Sequence, residues 1–173
     1  MQTYHDQEWG RPVHNEQKLF EILTLEMFQA GLSWEIVLKK RKNFRQAFFD
    51  FDFYQIPQLK VEDLMQDAGI IRYRRKLEAV INNAQRMQDL QASGGLNQLA
   101  WSVVDGQPID HQIEAMEQVP TTAPIAEQLS KQLKEAGFKF LGPTTVYSFM
   151  QAAGLINEHL VDCVVHDEII RRY

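Results

Sequence analysis

A glutamate stands inside an otherwise apolar stretch near the end of the first long helix that the sequence predicts. Glu26 lies in the segment 25–34, among hydrophobic residues. Burying a carboxylate is costly unless the group is paired or serves a ligand, so Glu26 is a candidate for catalysis or for substrate binding. Trp34 closes the segment and offers a flat ring on which a ligand can stack. The alternatives are that Glu26 forms a local cap or salt bridge and that Trp34 belongs to the core.

The same segment contains a turn with a hydrophobic tip. Leu32 stands between Gly31, which ends the predicted helix, and Ser33, which is a suitable N-cap for the next helix. A hydrophobic side chain on such a turn can wedge into a base stack. Gly31 and Leu32 are therefore candidates for a contact with DNA.

A second glycine-containing turn lies in the segment 137–145, between two predicted helices. A glycine such as Gly142 lets a phosphate approach the backbone, and the start of the next helix offers free N–H groups and the positive end of its dipole. This geometry is typical of a helix–hairpin–helix grip on one DNA strand, with Lys139, Gly142 and Thr144 as candidate contacts. An ordinary corner between two helices is the alternative.

Two further segments carry residue types that bind metals. His159 and Cys163 are four positions apart, so on a helix they would share a face and form half of a zinc site. A packed thiol beside a surface imidazole is the commoner arrangement. Near the N-terminus, Tyr4, His5 and Trp9 bring aromatic and polar groups together, and the residues alone predict a terminal arm that packs on the domain.

Hydrophobic spacing predicts helices along almost the whole chain. The stretch 105–124 has three prolines and little periodicity, which predicts a long loop. No segment alternates, so we expect no significant sheet and an all-α fold class. The length fits one domain over residues 1–173, either as one unit or as two tightly joined helical lobes around a cleft. The predicted helices are 16–30, 34–49, 61–67, 74–90, 96–104, 125–136 and 143–154.

Composition restricts the class of protein. The chain has 173 residues, 45% of them hydrophobic, and no apolar run as long as a membrane span, so we expect a cytoplasmic protein with no membrane partner and no obligate protein partner. Cys163 is the only cysteine, which excludes an internal disulfide and fits a reducing compartment. The net charge of −5 argues against nucleic acid, but basic clusters at 39–45, 72–76 and, more loosely, 131–139 can still face phosphates. Solvated helix faces are the alternative.

Taken together and in this order, these segments resemble the 3-methyladenine DNA glycosylase I family, over essentially the whole chain. The resemblance implies an all-α helix–hairpin–helix glycosylase fold and the excision of an alkylated purine, such as N3-methyladenine, from double-stranded DNA. The motifs that carry it are Tyr4-His5-Asp6 with Glu8-Trp9-Gly10, Gln29-Ala30-Gly31-Leu32-Ser33-Trp34, Asp67-Ala68-Gly69-Ile70-Ile71-Arg72, Gly137-Phe138-Lys139-Phe140 and Tyr147-Ser148-Phe149-Met150-Gln151-Ala152.

The resemblance also implies roles for the candidate residues. Glu26 and Tyr4 would hydrogen-bond a base that has been flipped out of the helix, and Trp34 would stack on it, with Trp9 as a further substrate contact. Leu32 would plug the DNA, and the turn around Gly142 would hold the backbone. Glu26 is the candidate catalytic residue.

The resemblance further implies a zinc ion bound by two cysteines and two histidines. His5, His159 and Cys163 match three of these ligands. In the family the fourth ligand, a cysteine, lies with a pocket aromatic on a stretch before the Tyr-His pair, where this sequence has residues 1–3. We expect a structural zinc in which water or His166 takes the fourth position, or else an empty site.

The implied substrate is positively charged, which already weakens its glycosidic bond. An aromatic face and a carboxylate both favour a cation. Many members of the wider superfamily use an aspartate just after the second hairpin helix; if the same register holds here, Asn157 takes its place, and an amide is not a base. With no lysine nucleophile in the matched motifs, we predict a monofunctional glycosylase that depends on a good leaving group. The alternatives are a lesion-binding DNA module without chemistry and a zinc-dependent hydrolase of a small molecule.

Overall fold

The structure is a computed structural model that describes residues 1–172, and helices dominate it, which confirms the all-α prediction. No helix in this part of the chain has the length and apolar character needed to cross a membrane. The helices are α1 (Gln2–Gln7), α2 (Glu16–Gln29), α3 (Trp34–Ala47), α4 (Val61–Leu64), α5 (Arg74–Leu90), α6 (Gly95–Ser102), α7 (Pro124–Glu135), α8 (Pro143–Ala152) and α9 (Val164–Ile170). Short 3-10 turns lie at Phe49–Phe51, Ile56–Gln58, Gln91–Ser93 and Met116–Gln118.

Helix α2 lies at the centre of the molecule. The side chain of Asn15 caps it by accepting a hydrogen bond from the backbone N–H of Lys18 at 2.9 Å. Every residue from Leu19 to Phe28 is buried, so neighbouring elements cover α2 on all sides. A helix in this position takes its polar residues into the interior as well as its apolar ones, and Glu26 is one of them.

Helices α5, α7 and α8 begin and end within a few residues of the predicted bounds. In α5 the buried residues recur at helical spacing along one face, including Leu77, Val80 and Ala84. Pro143 occupies the first position of α8, after Gly142 as N-cap, as the sequence predicted. Ser33 is the N-cap of α3, but its side chain makes no capping hydrogen bond.

The stretch 105–124 is not the plain loop that the sequence predicted. Strand β1 (Ile109–Asp110) pairs in parallel with strand β2 (Ile156–Asn157), and an isolated bridge joins Ile113 to Leu160. Each strand has only two residues, so the fold class does not change. The pairing matters because it fixes the segment after α8, which carries several candidate site residues.

The N-terminal segment was predicted as an arm, and the structure makes part of it helix α1. The chain after α1 runs along the end of α8, where the backbone N–H of Gly10 donates to the carbonyl of Ala152 at 3.3 Å and that of Val13 donates to Ala153 at 3.0 Å. Gly154 closes this junction with a φ of +75°. The junction attaches the residues of α1 to the body of the protein.

We predict that Gly154→Ala destabilises the protein by about 3 kcal/mol or more. A Cβ at this position would stand 2.4 Å from the backbone carbonyl carbon of Arg11 and from the nitrogen of Pro12. Gly106→Ala is the matched control, because Gly106 has a φ of +76° but open space around it. The control should cost only about 1 kcal/mol. Urea unfolding of both variants measures the difference, and equal losses would show that the junction tolerates a side chain.

Candidate active site

A cavity of about 740 Å³ opens between α1, the ends of α2 and α8, the start of α3, and the turn at 158–163. Its volume falls within the range of roughly 300–1,000 Å³ that is typical of small-molecule sites. The four residues predicted to bind substrate, Tyr4, Trp9, Glu26 and Trp34, all line it. The structure therefore brings together residues that the sequence separates, although their roles stay predictions.

The carboxyl group of Glu26 forms part of the cavity wall. Its residue is only 6% exposed, and within residues 1–172 no group donates a hydrogen bond to it. Burial raises the pKa of Glu26 to about 8, so the carboxyl is mostly protonated at neutral pH in the ligand-free site. In that form it both donates and accepts a hydrogen bond.

Glu21, on the same helix, is a buried acid that the protein pairs with cations of its own. Glu21 is also buried, but Arg45 approaches its carboxylate to 2.7 Å and Lys18 approaches it to 3.3 Å. Glu26 has no such cation. An acid that the fold buries and leaves without a partner is a candidate for ligand binding.

Tyr4 and Trp34 form an aromatic wall next to Glu26. Their ring centres are 5.3 Å apart and the planes are inclined by 42°. Burial, followed by the negative charge of Glu26, raises the pKa of Tyr4, so its hydroxyl stays a donor. The indole N–H of Trp34 is buried and makes no hydrogen bond within the described residues. The hydroxyl of Tyr4 is thus a donor beside the cavity, and the indole N–H of Trp34 is a buried donor that the described residues leave unpaired.

An ion pair behind this wall connects α1 to α3. Two nitrogens of Arg41 donate to the two carboxylate oxygens of Glu8, at 2.6 and 2.9 Å. These hydrogen bonds lower the pKa of Glu8. The guanidinium carbon of Arg41 also lies 5.9 Å from the centre of the Tyr4 ring. The pair holds Tyr4 beside Trp34.

The ion pair also corrects the interpretation of the basic cluster at 39–45. Arg41 and Arg45 are turned towards Glu8 and Glu21 and are not free to face phosphates. Lys40 donates to the carbonyl oxygens of Ala68 and Gly69, at 3.4 and 3.3 Å. Counting charges along the sequence could not separate these internal partners from surface ones.

The sequence analysis missed Glu158, a second buried acid at the cavity. Its side chain is 0% exposed and accepts hydrogen bonds from the hydroxyl of Tyr147, the amide nitrogen of Gln151, and Nδ1 of His111, the last at 3.0 Å. Burial and the contact with Glu158 raise the pKa of Tyr147. Tyr147 and Gln151 are four positions apart in a family motif, so they share one face of α8, and that spacing was the available clue.

Asn157 does not line the cavity. It lies in β2, and its side-chain oxygen accepts a hydrogen bond from the backbone N–H of His159 at 3.3 Å. Its side chain borders a separate small cavity of about 150 Å³, together with Asp110. Asn157 therefore lies outside the cavity that contains Glu26, and the neighbouring Glu158 lines that cavity instead.

The three predicted metal ligands meet at the edge of the cavity. One ligand atom from each of His5, His159 and Cys163 lies within 4.8 Å of the others. Nε2 of His159 is 3.1 Å from the carbonyl oxygen of Trp9, which leaves Nδ1 facing the sulfur of Cys163 at 4.0 Å. Burial lowers the pKa of His159 to about 4, so its imidazole is neutral at pH 7. Two imidazoles and a thiol are a donor set that suits zinc.

Two details of the metal prediction were wrong. His159 and Cys163 do not share a helix, because both lie in the turn before α9. His166 is not a fourth ligand, because its Nε2 is 3.1 Å from a carboxylate oxygen of Asp110. Within the described residues, the possible metal-binding cluster consists of His5, His159 and Cys163 and does not include His166.

The predicted DNA plug stands on the turn between α2 and α3. Leu32 is 39% exposed at its tip, and Gly31 has a φ of +84° that a left-handed turn requires. The turn is braced from inside: Gln29 donates to the carbonyl of Leu32 at 3.0 Å, and Lys76 of α5 donates to that of Ala30 at 3.0 Å. A braced turn can keep an apolar side chain pointing into solvent.

The turn between α7 and α8 is attached to the same helix. Asn83 of α5 accepts from the backbone N–H of Lys139 at 2.9 Å and donates to its carbonyl at 3.1 Å. Its neighbour Asn82 donates to the carbonyl of Gly137 at 2.9 Å. Gly142 and Thr144 are exposed at the start of α8, and no atom lies within 4 Å of the position of a Cβ on Gly142. The predicted DNA contacts are thus accessible.

Comparison with known proteins decides the family. A family model described as methyladenine glycosylase matches residues 1–166. The chain belongs to the methyladenine glycosylase family.

Two relatives and one solved structure show how close the similarity is. The chain is 47% identical over 165 residues to DNA-3-methyladenine glycosylase 1 of Escherichia coli strain K12, covering 93% of this chain and 88% of the relative. It is 45% identical over 164 residues to DNA-3-methyladenine glycosylase of Haemophilus influenzae, covering 92% and 89%. A crystal structure of a 3-methyladenine DNA glycosylase I variant in complex with 3-methyladenine matches with a TM-score of 0.92 and 43% identity, over 95% of this chain and 91% of that chain.

In this member of the methyladenine glycosylase family, we predict that Glu26→Gln stabilises the protein at high pH. The folded-state pKa of Glu26 is about 8, above the ordinary value of 4.5, so folding becomes less favourable as the pH rises from 4.5 to 8. The glutamine removes that loss, which is on the order of a few kcal/mol. The stability gain over wild type should therefore be below about 1 kcal/mol at pH 5 and several times larger at pH 8.

Urea unfolding at the two pH values measures this gain. Glu21→Gln is the matched control, because the change removes partners of Arg45 and Lys18 and should destabilise the protein at both. A stability difference between Glu26→Gln and wild type that does not change with pH would show that Glu26 titrates normally.

Proposed function

We propose that this protein is a monofunctional DNA-3-methyladenine glycosylase, which hydrolyses the bond between N3-methyladenine and deoxyribose in double-stranded DNA. The observation that carries the proposal is the meeting of Glu26, Tyr4 and Trp34 on one cavity. The names of the two relatives and the 3-methyladenine complex of the solved structure support it.

Recognition of the lesion rests on its positive charge. The damaged nucleotide leaves the duplex at a cost of a few kcal/mol, which is smaller for a base that pairs poorly. Its ring stacks on Trp34, and an aromatic face attracts a cation by roughly 0.5–2 kcal/mol. The cation also favours the ionised form of Glu26, so the carboxyl releases its proton as the base enters. Tyr4 donates a hydrogen bond to the base, and Trp9 closes the cavity beside it.

The chemical step needs little activation because the base is a good leaving group. The bond from the sugar carbon to the base nitrogen breaks, and its electron pair goes to the base, which becomes neutral. Water adds to the sugar carbon and gives its proton to solvent. Glu26 holds the base in the departing geometry, beside the aromatic wall of Tyr4 and Trp34. Neutral lesions lack both the charge and the weak bond, so they are poor substrates.

The two braced turns supply the grip on DNA in this proposal. Leu32, with Gly31 behind it, enters the space that the flipped nucleotide leaves. The N-terminus of α8 receives a backbone phosphate, with Gly142 giving room, Thr144 offering a hydroxyl and Lys139 a positive charge. The helix pair α7–α8 is then a helix–hairpin–helix element. The exposure of Gly142 and Thr144, with open space at Gly142, supports this over a simple corner between helices.

Two alternatives remain less favoured. A DNA-binding module without chemistry would not need a buried, unpaired acid in its ligand cavity, and Glu26 is one. A zinc hydrolase of small molecules would be expected to resemble such hydrolases, whereas the similarity runs to proteins named as DNA glycosylases over 93% of this chain.

The function is tested by base release from methylated DNA. Wild-type protein should release N3-methyladenine, and kcat/KM should rise with pH up to about 8 and then level off, because it follows the ionisation of Glu26 in the free enzyme. Glu26→Gln should lower kcat/KM by about tenfold or more and remove this rise. Chromatography of the released bases gives both quantities. Folded wild-type protein that releases no N3-methyladenine would refute the proposed function.

We also propose that His5, His159 and Cys163 hold a zinc ion with a structural role. The ion would connect α1 to the turn before α9, and it would supply Lewis acidity at that point when bound. No step of the reaction depends on it. The fixed Nε2 contact of His159 with Trp9 supports the proposal, because zinc-binding histidines usually have their second nitrogen hydrogen-bonded in this way.

We expect about one zinc per chain by metal analysis, and a higher Tm with zinc than after chelation. Cys163→Ser should lower both the zinc content and the gain in Tm. His166→Gln is the matched control and should keep the zinc, because His166 is bound to Asp110 instead. A metal-free protein whose Tm does not respond to added zinc would exclude the site.

A further inference from the structure

The wall of the cavity contains a side-chain amide that nothing above assigns. Gln151 lies on α8, is half-buried, and lines the same cavity as Glu26. Its amide nitrogen donates to Glu158. Within the described residues, no group donates to its carbonyl oxygen, so one acceptor on the cavity wall is left for a ligand.

Glu158 fixes which end of this amide faces the ligand. A carboxylate offers acceptors, so it binds the NH₂ end of Gln151 and excludes the carbonyl end. Glu158 itself cannot rotate easily, because the hydroxyl of Tyr147 and Nδ1 of His111 also donate to it and its side chain is 0% exposed. The carbonyl oxygen of Gln151 is therefore kept on the ligand side.

We propose that Gln151 determines base specificity, because its carbonyl oxygen accepts a hydrogen bond from the exocyclic amino group at C6 of the alkylated adenine. Glu158 is the positioning residue that aims it. The inference rests on the proposed function and adds to it the feature that separates one methylated purine cation from another.

The chemistry of the two purines gives the selectivity. Adenine carries an amino group at C6, which is a donor, and guanine carries a carbonyl oxygen there, which is an acceptor. N3-methylguanine would place its oxygen against that of Gln151, leaving two acceptors facing each other out of water. Both lesions are cations, so stacking on Trp34 and the charge of Glu26 do not distinguish them, and an oriented acceptor does. Such a mismatch is worth about tenfold or more in kcat/KM.

The experiment compares release of N3-methyladenine and N3-methylguanine from the same methylated DNA. Gln151→Leu should reduce the ratio of the two kcat/KM values by about tenfold, mainly through slower release of the adenine. Glu158→Gln should shift the ratio in the same direction, because an amide at this position accepts either end of Gln151 and lets it turn over. In the double variant the ratio should be no lower than in Gln151→Leu alone, because each change removes the same oriented acceptor.

Gln128→Leu is the matched control, on an exposed face of α7, and should leave the ratio unchanged. Thermal unfolding of each variant shows that it is folded. Folded Gln151→Leu protein with the wild-type ratio overturns the proposal.

A second measurement does not depend on catalysis. Quenching of tryptophan fluorescence by the free bases gives a Kd for 3-methyladenine and one for 3-methylguanine. In Gln151→Leu, the preference for 3-methyladenine over 3-methylguanine, given by the ratio of the two Kd values, should fall by about tenfold. If wild-type protein releases no base, the proposed function fails, and the ratio of the two Kd values alone tests the role of Gln151. An unchanged Kd ratio in Gln151→Leu then overturns the inference.

Discussion

The site depends on a carboxyl group that the fold buries without giving it a partner. Glu26 is on a helix that is covered on all sides, so its side chain cannot turn to bulk water. The protein neutralises the neighbouring Glu21 with Arg45 and Lys18, and no cation reaches Glu26 within residues 1–172. A buried acid in this state costs stability, and a cationic ligand that supplies the missing charge recovers it. The same interaction links the cost of the buried acid in the ligand-free protein to the preference for a charged base that we propose.

The rest of the cavity wall is held in place from several directions. Helix α1, which carries Tyr4, is joined to α3 by the ion pair of Arg41 with Glu8, and the chain after it is fixed at the end of α8 next to Gly154. The parallel pairing of β1 with β2 holds the turn that carries Glu158. These attachments are long-range in sequence, and each connects a wall of the cavity to a different part of the core.

Much of the fold could be predicted because it follows from local rules. Helix α5 has a regular apolar face, and glycine and proline mark the ends of α7 and α8, so periodicity and capping residues set their bounds. Glu26 was recognisable as an acid in an apolar stretch. The pairing of β1 with β2 could not be predicted, since a two-residue strand has no measurable alternation and its partner lies 47 positions along the chain, as the pairing of Ile109 with Ile156 shows.

The site residues that the sequence misassigned share a physical reason. Arg41 belongs to a run of basic residues, and only the fold shows that it pairs with the half-buried Glu8. Asn157 and Glu158 are adjacent in an extended segment, where successive side chains point to opposite sides. A shift of one residue in the predicted register therefore places the amide of Asn157 at the cavity instead of the carboxylate of Glu158. Three-dimensional neighbours decided both cases, and the family resemblance alone did not supply them.

Helix α5 contributes nothing to the cavity, yet both exposed turns are tied to it, one through Lys76 and the other through Asn82 and Asn83. Helix α5 therefore sets the distance between the turn that carries Leu32 and the turn between α7 and α8, and it lies outside the cavity. If both turns contact DNA, as proposed above, the spacing of the two contacts is set outside the cavity that receives the base. The residues that set this spacing belong to α5, whereas the residues that line the cavity belong to other elements of the chain.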